Sequence, residues 1–345
     1  MHYDTNDKVN HPEAENKARH LPLIYLALLF TVITCWLIYM FYTASFHLFG
    51  KYYPSLITMI GGAFIAGSSP EGSAAVAYPI FTLLLKISPG VTRNFAFAIQ
   101  SVGMTCASVL ILNKKIKVEW NYIKFVTLGG VFGMVLGTYY VVPLISPPVA
   151  KLFFVSLWLS FGIVLWNENR KDKRDLFDAI RSFGKSDMAR LIILGFIGGI
   201  ISSIFGTGIN IFSFCFMTIY YRINEKIAIP SSVIIMTIET IFGFFIHAGV
   251  VKDFQKQAFE MWLICIPFVA IFAPLGSYVI SKVSRKAAAN FLSIILVIQF
   301  FGAMYVLKPA GWHLAMSLIV LASGLVVFAL VSKSQGSKNL NNHAA

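Results

Sequence analysis

Two breaks rich in glycine and hydroxyl residues interrupt long apolar runs, and they carry side chains suited to holding a small ligand. A half-helix that begins inside a membrane presents unpaired N–H groups and the positive end of its dipole, which favours an anion. Hydroxyl and amide groups add further donors. The alternative is that these side chains only cap the half-helices in apolar surroundings. The candidate substrate-binding residues in the breaks are Ser68, Ser69, Gly72, Ser73, Gly206, Thr207, Gly208 and Asn210.

Two acidic residues at membrane depth are candidates for proton coupling. Glu239 lies midway along the apolar run 230–249, and Glu71 lies in the first break. A charged carboxylate at that depth costs at least roughly 3 kcal/mol, so each is expected to be protonated or to face a wet cavity. The alternatives are that Glu239 is a neutral hydrogen-bonded tie between helices and that Glu71 caps a half-helix.

A small or polar stripe accompanies each break on the helix that follows it. At helical spacing, one stripe contains Gln100, a further candidate substrate-binding residue, and the other contains Glu239. The two stripes are expected to face each other or the substrate pathway. Their members are Ala96, Gln100, Gly103 and Ala107 in the first, and Ser232, Met236, Glu239 and Gly243 in the second.

Basic residues flank both breaks, and one histidine lies near the end of a span. Lys86 and Arg93 follow the first break, as Arg222 and Lys226 follow the second. They are either interfacial anchors of span ends or basic vestibules that concentrate anions. His247 is either a proton relay or an ordinary hydrogen-bonded residue.

The elements that position these residues are apolar and long. The 345 residues are 57% hydrophobic and only 12% charged, whereas soluble domains run near a quarter charged. Because roughly 18 apolar residues suffice to cross a hydrocarbon core, the chain is predicted to span a membrane many times. The predicted full spans are 22–49, 94–113, 122–145, 149–167, 230–249, 258–281, 287–306 and 312–331, and the broken segments are 54–86 and 191–221.

The distribution of basic residues predicts how these segments are oriented. If both broken segments fold back as re-entrant hairpins, 21 Lys and Arg residues lie on one side of the membrane and 7 on the other. The positive-inside rule then places both termini in the cytoplasm. The same rule accounts for the formal charge of +13 without a nucleic-acid partner. The expected location is the plasma (bacterial inner) membrane.

An offset of 136 residues relates the two broken segments and the spans that follow them, pairing Gly72 with Gly208 and Lys86 with Arg222. Each unit then holds a hairpin and three spans, so the second is inverted relative to the first, as in many secondary transporters. The predicted fold is all-α and polytopic, with two inverted repeats and extra first and last helices. The predicted divisions are a cytoplasmic tail (1–21), a first helix (22–53), repeat 1 (54–167), a cytoplasmic linker (168–190), repeat 2 (191–308) and a last helix with tail (309–345).

This arrangement resembles the sulfite exporter TauE/SafE family over roughly residues 54–308. The features that carry the resemblance are a glycine-rich break, a half-helix containing Pro79, a short charged loop and a small-residue helix, all repeated. The resemblance implies a permease for sulfite, sulfoacetate or related sulfonates. The first break departs from the usual form by carrying Pro70 and Glu71.

The predicted function is therefore secondary export of a small organic or sulfur-containing anion, coupled to protons and working by alternating access. A cation transporter using Glu71 and Glu239 is the alternative, and an intramembrane enzyme has weaker support because H-E-x-x-H and G-x-S-x-G motifs are absent. No cofactor or metal is expected, since the four cysteines lie apart in apolar runs. The expected partners are the anion and the lipid bilayer, and a homo-oligomer stays open.

Overall fold

The computed structural model describes residues 22–73, 77, 80–170, 176–180 and 183–341. This part of the chain is helical and has no β-strand, only one isolated bridge between Phe177 and Ile223. Pro79 lies outside the described residues. The helices are α1 (Leu23–Tyr42), α2 (Leu48–Ser68), α3 (Pro89–Asn113), α4 (Trp120–Leu136), α5 (Pro147–Arg170), α6 (Lys185–Phe205), α7 (Ile209–Cys215), α8 (Glu225–Phe245), α9 (Lys256–Lys282), α10 (Arg285–Leu307) and α11 (Trp312–Asn341).

Nine helical segments among the described residues are long and apolar enough to cross a membrane. They confirm the prediction of an all-helical polytopic membrane protein. Eight of them coincide with the predicted spans, and the ninth is α6, predicted as the first arm of the second hairpin. The added length of α6 is a polar first turn, in which the Gly184 N–H donates to the Asp187 carboxylate (3.2 Å). The re-entrant path of this segment stays a prediction.

The first span is shorter than predicted. Instead of one helix over 22–49, α1 ends at Tyr42 and α2 begins at Leu48. The turn between them contains Ala44 in the left-handed conformation (φ 48°), and the Thr43 hydroxyl donates to the Tyr39 carbonyl oxygen (2.8 Å). The twenty residues of α1 already match the thickness of a bilayer, so the apolar residues beyond it belong to the next helix. The prediction of one continuous span was therefore wrong.

Structural boundaries recur at the offset of 136 residues. Among non-glycine residues, Lys86 and Arg222 share a left-handed conformation (φ 53° and 54°). The same backbone hydrogen bond precedes each helix start, from Ile87 N–H to Phe81 and from Ile223 N–H to Met217 (both 2.8 Å). This correspondence supports the repeat hypothesis, while the inverted orientation stays a prediction. The element starts related by the offset are Ile80 and Phe216 for π-helical turns, Pro89 and Glu225 for α3 and α8, and Trp120 and Lys256 for α4 and α9.

The proposed repeats pack through two pairs of helices, each with one member from each repeat. In the first pair α4 lies against α6, and in the second α2 lies against α9. Glycines allow these close approaches. A Cβ atom at Gly129 or Gly133 would collide with backbone atoms of Ile192 or Phe196, and a Cβ at Gly67 would collide with Ala273. The recurrence of glycine every four residues at Gly129, Gly133 and Gly137 thus permits close packing of α4 on α6.

The two small-residue helices, α3 and α8, pack against each other. Ser108 and Thr237 share a hydrogen bond there (2.7 Å), and Phe97 packs against Gly243. The predicted stripes therefore lie on facing helices, and α3 and α8 form the frame that supports both chain breaks.

The described part of the connection between α5 and α6 is docked on the helices. Phe177 N–H donates to the Arg222 carbonyl oxygen (2.9 Å), Lys117 pairs with Asp178 (2.8 Å), and Phe183 stacks on Phe125. Since these contacts reach both proposed repeats, the connection fixes their relative position at this end of the molecule.

Candidate functional site

Both breaks reverse the chain through glycines. Gly72, Gly206 and Gly208 have φ values of 75°, 77° and 143°, a region that residues with a side chain rarely adopt. After the glycines of each break, the next described residues lie against the preceding helix. A Cβ atom at Gly62 would lie 3.7 Å from the Ser73 carbonyl oxygen, and one at Gly198 would lie 2.8 Å from Ile209 Cγ1. We call these two turns the first tip and the second tip, and the hairpin path of both segments stays a prediction.

The two tips meet between α3 and α8. A Cβ atom at Gly72 would lie 2.5 Å from Thr207 Oγ1, 2.8 Å from Gln100 Oε1 and 3.2 Å from Met236 Sδ. The Asn210 amide donates to the Pro70 carbonyl oxygen. Gln100 and Met236 are 136 residues apart, so corresponding positions of the two repeats flank the contact. We define this meeting point of the tips as the central site.

Gln100 ties α3 to the second tip. Its Nε2 donates to the carbonyl oxygens of Ala96 and Gly206, both at 2.9 Å. Its Oε1 is buried without a hydrogen-bond partner among the described residues and faces Gly72. A buried acceptor without a partner is costly, so this oxygen is suited to receive a hydrogen bond from a protonated or hydroxyl-bearing ligand.

At the second tip, polar groups satisfy one another. Asn210 Oδ1 accepts from the Thr207 hydroxyl and from the Gly208 N–H, both at 3.1 Å. The Ile209 N–H donates to Ser202 Oγ (2.9 Å). The amide donors expected to face an anion are therefore engaged with side chains in this conformation. A ligand reaches the Gly208 N–H only after the Asn210 side chain turns away.

The serines of the first tip differ in their surroundings. The Ser68 hydroxyl donates to the Phe64 carbonyl oxygen (2.8 Å), and the Ser69 hydroxyl donates to Ile65 (2.9 Å) and accepts from Glu71 N–H (3.3 Å). Both hydroxyl groups therefore bond to backbone groups at the C-terminal end of α2, as the capping alternative expects. Ser73 Oγ is buried without a hydrogen-bond partner among the described residues.

Glu71 points away from the central site toward α10 and α5. Its Oε2 accepts from Gln299 Nε2 (2.8 Å), and its charge lies within electrostatic range of the buried Lys151 and of Cys215. The Lys151 ammonium group also lies over the Phe154 ring (5.6 Å). This acidic side chain is thus turned away from the central site and lies near a cationic one.

Sequence reasoning missed Gln299 and Lys151 as partners of Glu71. Gln299 lies inside the predicted span 287–306, and Lys151 lies near the start of the predicted span 149–167. A polar residue within a predicted span was the signal that could have identified them. Lys151 is the third residue of its predicted span, and its side chain is buried.

Glu239 lies beside the second tip. Its side chain is buried, and neither carboxylate oxygen has a hydrogen-bond partner among the described residues. The carboxylate occupies the space that a side chain at Gly130 of α4 would need, and Ile209 lies against the same point. The Glu239 carboxylate therefore lies where α4, α7 and α8 meet.

The central site unites Gly72, Gln100, Gly206, Thr207 and Asn210, with Gly208 at its edge. Comparison with protein families gives a match to the model described as Sulfite exporter TauE/SafE over residues 55–304, which confirms the resemblance seen in the sequence. Curated proteins and solved structures gave no match. The matched segment contains both tips and both acidic residues, and it leaves out α1 and α11.

Proposed function

The chain belongs to the sulfite exporter TauE/SafE family, a family of membrane transporters of sulfite and related anions, and on this premise we propose a secondary exporter of a small anion. The proposed substrates are sulfite, sulfoacetate or another sulfonate. The observation that supports the proposal best is the contact of the two tips at Gly72 and Thr207, because irregular backbone at membrane depth is tolerated only in protein or beside a cavity.

The proposed substrate contacts are hydroxyl, amide and N–H groups. Gln100, Thr207, Gly208 and Asn210 surround the contact, and Ser73 adds a buried hydroxyl. A helix that begins at such a tip contributes positive potential without a buried Lys or Arg. Substrate binding then replaces the internal hydrogen bonds of Asn210, so that the tips separate when the anion enters.

Alternating access follows from this arrangement. Since each proposed repeat contributes one tip, opening the contact toward one side and then the other carries the anion past the central site. Protons are proposed to drive the cycle through Glu239, which lies against the second tip, and through Glu71, which ties the first tip to Gln299.

The test is flux into liposomes containing the purified chain, with sulfite, sulfoacetate and divalent metal cations supplied in turn. We expect anion flux and no metal flux. Gln100→Met, which copies the corresponding residue Met236, should lower anion flux, whereas Ser101→Ala, one position away on α3, should not. Metal flux that disappears in Glu71→Gln, with no anion transported, would refute the proposal in favour of cation transport.

The proposed topology has both termini in the cytoplasm of a bacterial inner membrane. Cysteines introduced at Tyr52 and Gly90, on either side of the first hairpin, should react with an impermeant thiol reagent from the same side. Labelling from opposite sides contradicts the re-entrant path and the inverted repeat.

A further inference from the structure

Away from the central site, a buried charged cluster lies where α3 begins and where α8 ends. The Asp253 carboxylate is shared: one oxygen accepts from Arg93 Nη2 (3.0 Å) and the other lies 2.8 Å from His247 Nδ1. Asn94 donates to the Asp253 carbonyl oxygen (2.9 Å) and to Gln255 Oε1 (3.1 Å). The loop that carries Asp253 is therefore fixed against α3.

The exposure of the three side chains is graded. The Arg93 and His247 side chains are 9% and 1% exposed, whereas Asp253 is 35% exposed. The Phe97 ring stacks on His247 (centroids 5.5 Å apart). Water and small ions thus reach the cluster past Asp253, and the two cationic side chains lie behind it.

The charge of the cluster depends on one proton. With neutral His247, the Arg93 and Asp253 charges cancel. With protonated His247, two cations share one carboxylate, and the cluster carries a net positive charge that attracts an anion. Arg93 is suited to bind it, because a guanidinium matches the oxygens of a sulfonate as it matches those of a carboxylate or phosphate.

Charged groups near His247 lie on three elements. Arg93 from α3 and Asp253 from the α8–α9 connection contact it directly. On its own helix the nearest acidic residue along the chain is Glu239, about two turns away. Lys252, next to Asp253, is exposed.

The cluster also contacts the second tip. A Cβ atom at Gly206 would lie 2.7 Å from the Arg93 carbonyl oxygen and 2.8 Å from Ala96 Cβ. Arg93 therefore belongs to both places: its side chain lies in the cluster, and its backbone lies against the residue that precedes Thr207 of the central site.

We propose that Arg93, His247 and Asp253 form a second anion site, which takes up a singly charged oxyanion such as a sulfonate together with one proton on His247. The proton comes from water, and protonated His247 holds Asp253 while Arg93 exchanges Asp253 Oδ2 for an oxygen of the anion. That the anion binds here before it reaches the central site rests on the proposed export function. The proton-linked binding at this second site does not rest on it.

The test measures equilibrium binding of methanesulfonate, whose charge is constant between pH 5.5 and 8, to the full purified chain in detergent. The double variant Glu71→Gln and Glu239→Gln is the background, so that the other two proposed titrating residues are silent. Because binding of the anion carries one proton with it, affinity in this background should rise at least about tenfold between pH 8 and pH 5.5.

Three variants in that background should each remove the pH dependence of methanesulfonate affinity. His247→Gln should bind weakly at both pH values, because the added charge is lost. Asp253→Asn should bind tightly at both, because the cluster is positive without a proton. Arg93→Gln should bind weakly at both. Lys252→Gln is the matched control, and it should keep the full pH dependence of the background.

Unchanged pH dependence in His247→Gln overturns the inference, as does an Asp253→Asn variant that binds no better than Arg93→Gln, or a background protein that binds no methanesulfonate. Liposome flux separates this inference from the proposed function. No anion flux alongside the expected binding pattern defeats export and leaves the second site. Proton-driven flux, with binding whose pH dependence survives in His247→Gln, defeats the second site and leaves export.

Discussion

Replacing Gly72 by alanine inserts a methyl group between the two tips. The new Cβ atom would lie 2.5 Å from Thr207 Oγ1 and 2.8 Å from Gln100 Oε1, at a φ of 75°. The left-handed backbone costs about 1–2 kcal/mol for a residue with a side chain, and an extra methyl group in a packed contact costs about 1–3 kcal/mol. The conformation in which the tips touch should therefore lose about 2–5 kcal/mol.

Gly62→Ala is the matched control on α2. Its Cβ atom would meet Met59 and Ser73 at ordinary contact distances of 3.7 Å or more, and alanine stabilises a helix interior by about 0.5–1 kcal/mol relative to glycine. Thermal unfolding of both variants in the same detergent measures the difference. Gly72→Ala should unfold several degrees below the wild type and transport poorly, while Gly62→Ala should unfold at or above it. Equal midpoints for the two variants would refute the contact between the tips.

Three further changes test the central site. Glu239→Gln should leave the chain folded and inserted but remove the acceleration of anion flux by a pH gradient, because the amide keeps the shape and cannot titrate; an unchanged response returns Glu239 to a structural role. Gly208→Leu should lower flux in liposomes sharply at normal membrane expression, because its side chain would occupy the place where the backbone is proposed to approach the substrate; normal flux contradicts that approach. A disulfide between Gly72→Cys and Thr207→Cys should stop flux until reductant is added, and flux that continues with the bond formed argues against separation of the tips.

Much of the fold could be predicted because local sequence determines it. Glycine breaks in apolar runs predicted both tips, and the three tip glycines have the positive φ values that other residues rarely adopt. Basic residues after each break predicted the loops, and Lys86 and Arg222 close them in the same conformation. The end of α1 was missed because an apolar run shows no boundary where two helices follow each other through the short turn at Ala44.

The partners of the polar side chains could not be predicted, since they come from distant parts of the chain. Glu71 and Gln299 are 228 positions apart, and Arg93 and Asp253 are 160 positions apart. Helical spacing predicted that Gln100 lies on the central stripe, but the Gly206 carbonyl oxygen that it binds depends on how the second hairpin docks. Arg93 was interpreted as a vestibule or anchor residue, and only the packing of α3 against the Asp253 loop reveals a buried ion pair.

The two tips share a backbone plan but differ in the side chains at corresponding positions 71 and 207. Thr207 turns into the central site against Gly72, whereas Glu71 turns outward to Gln299 of α10. The first tip is therefore tied to the outer helices through a buried carboxylate, and a buried polar tie is costly to break. The second tip has hydrogen bonds between neutral groups, within itself through Asn210 and to its neighbours Pro70 and Gln100. Since hydrogen bonds between neutral groups are weaker than one made to a carboxylate, the second tip is the one whose rearrangement best accounts for opening of the site.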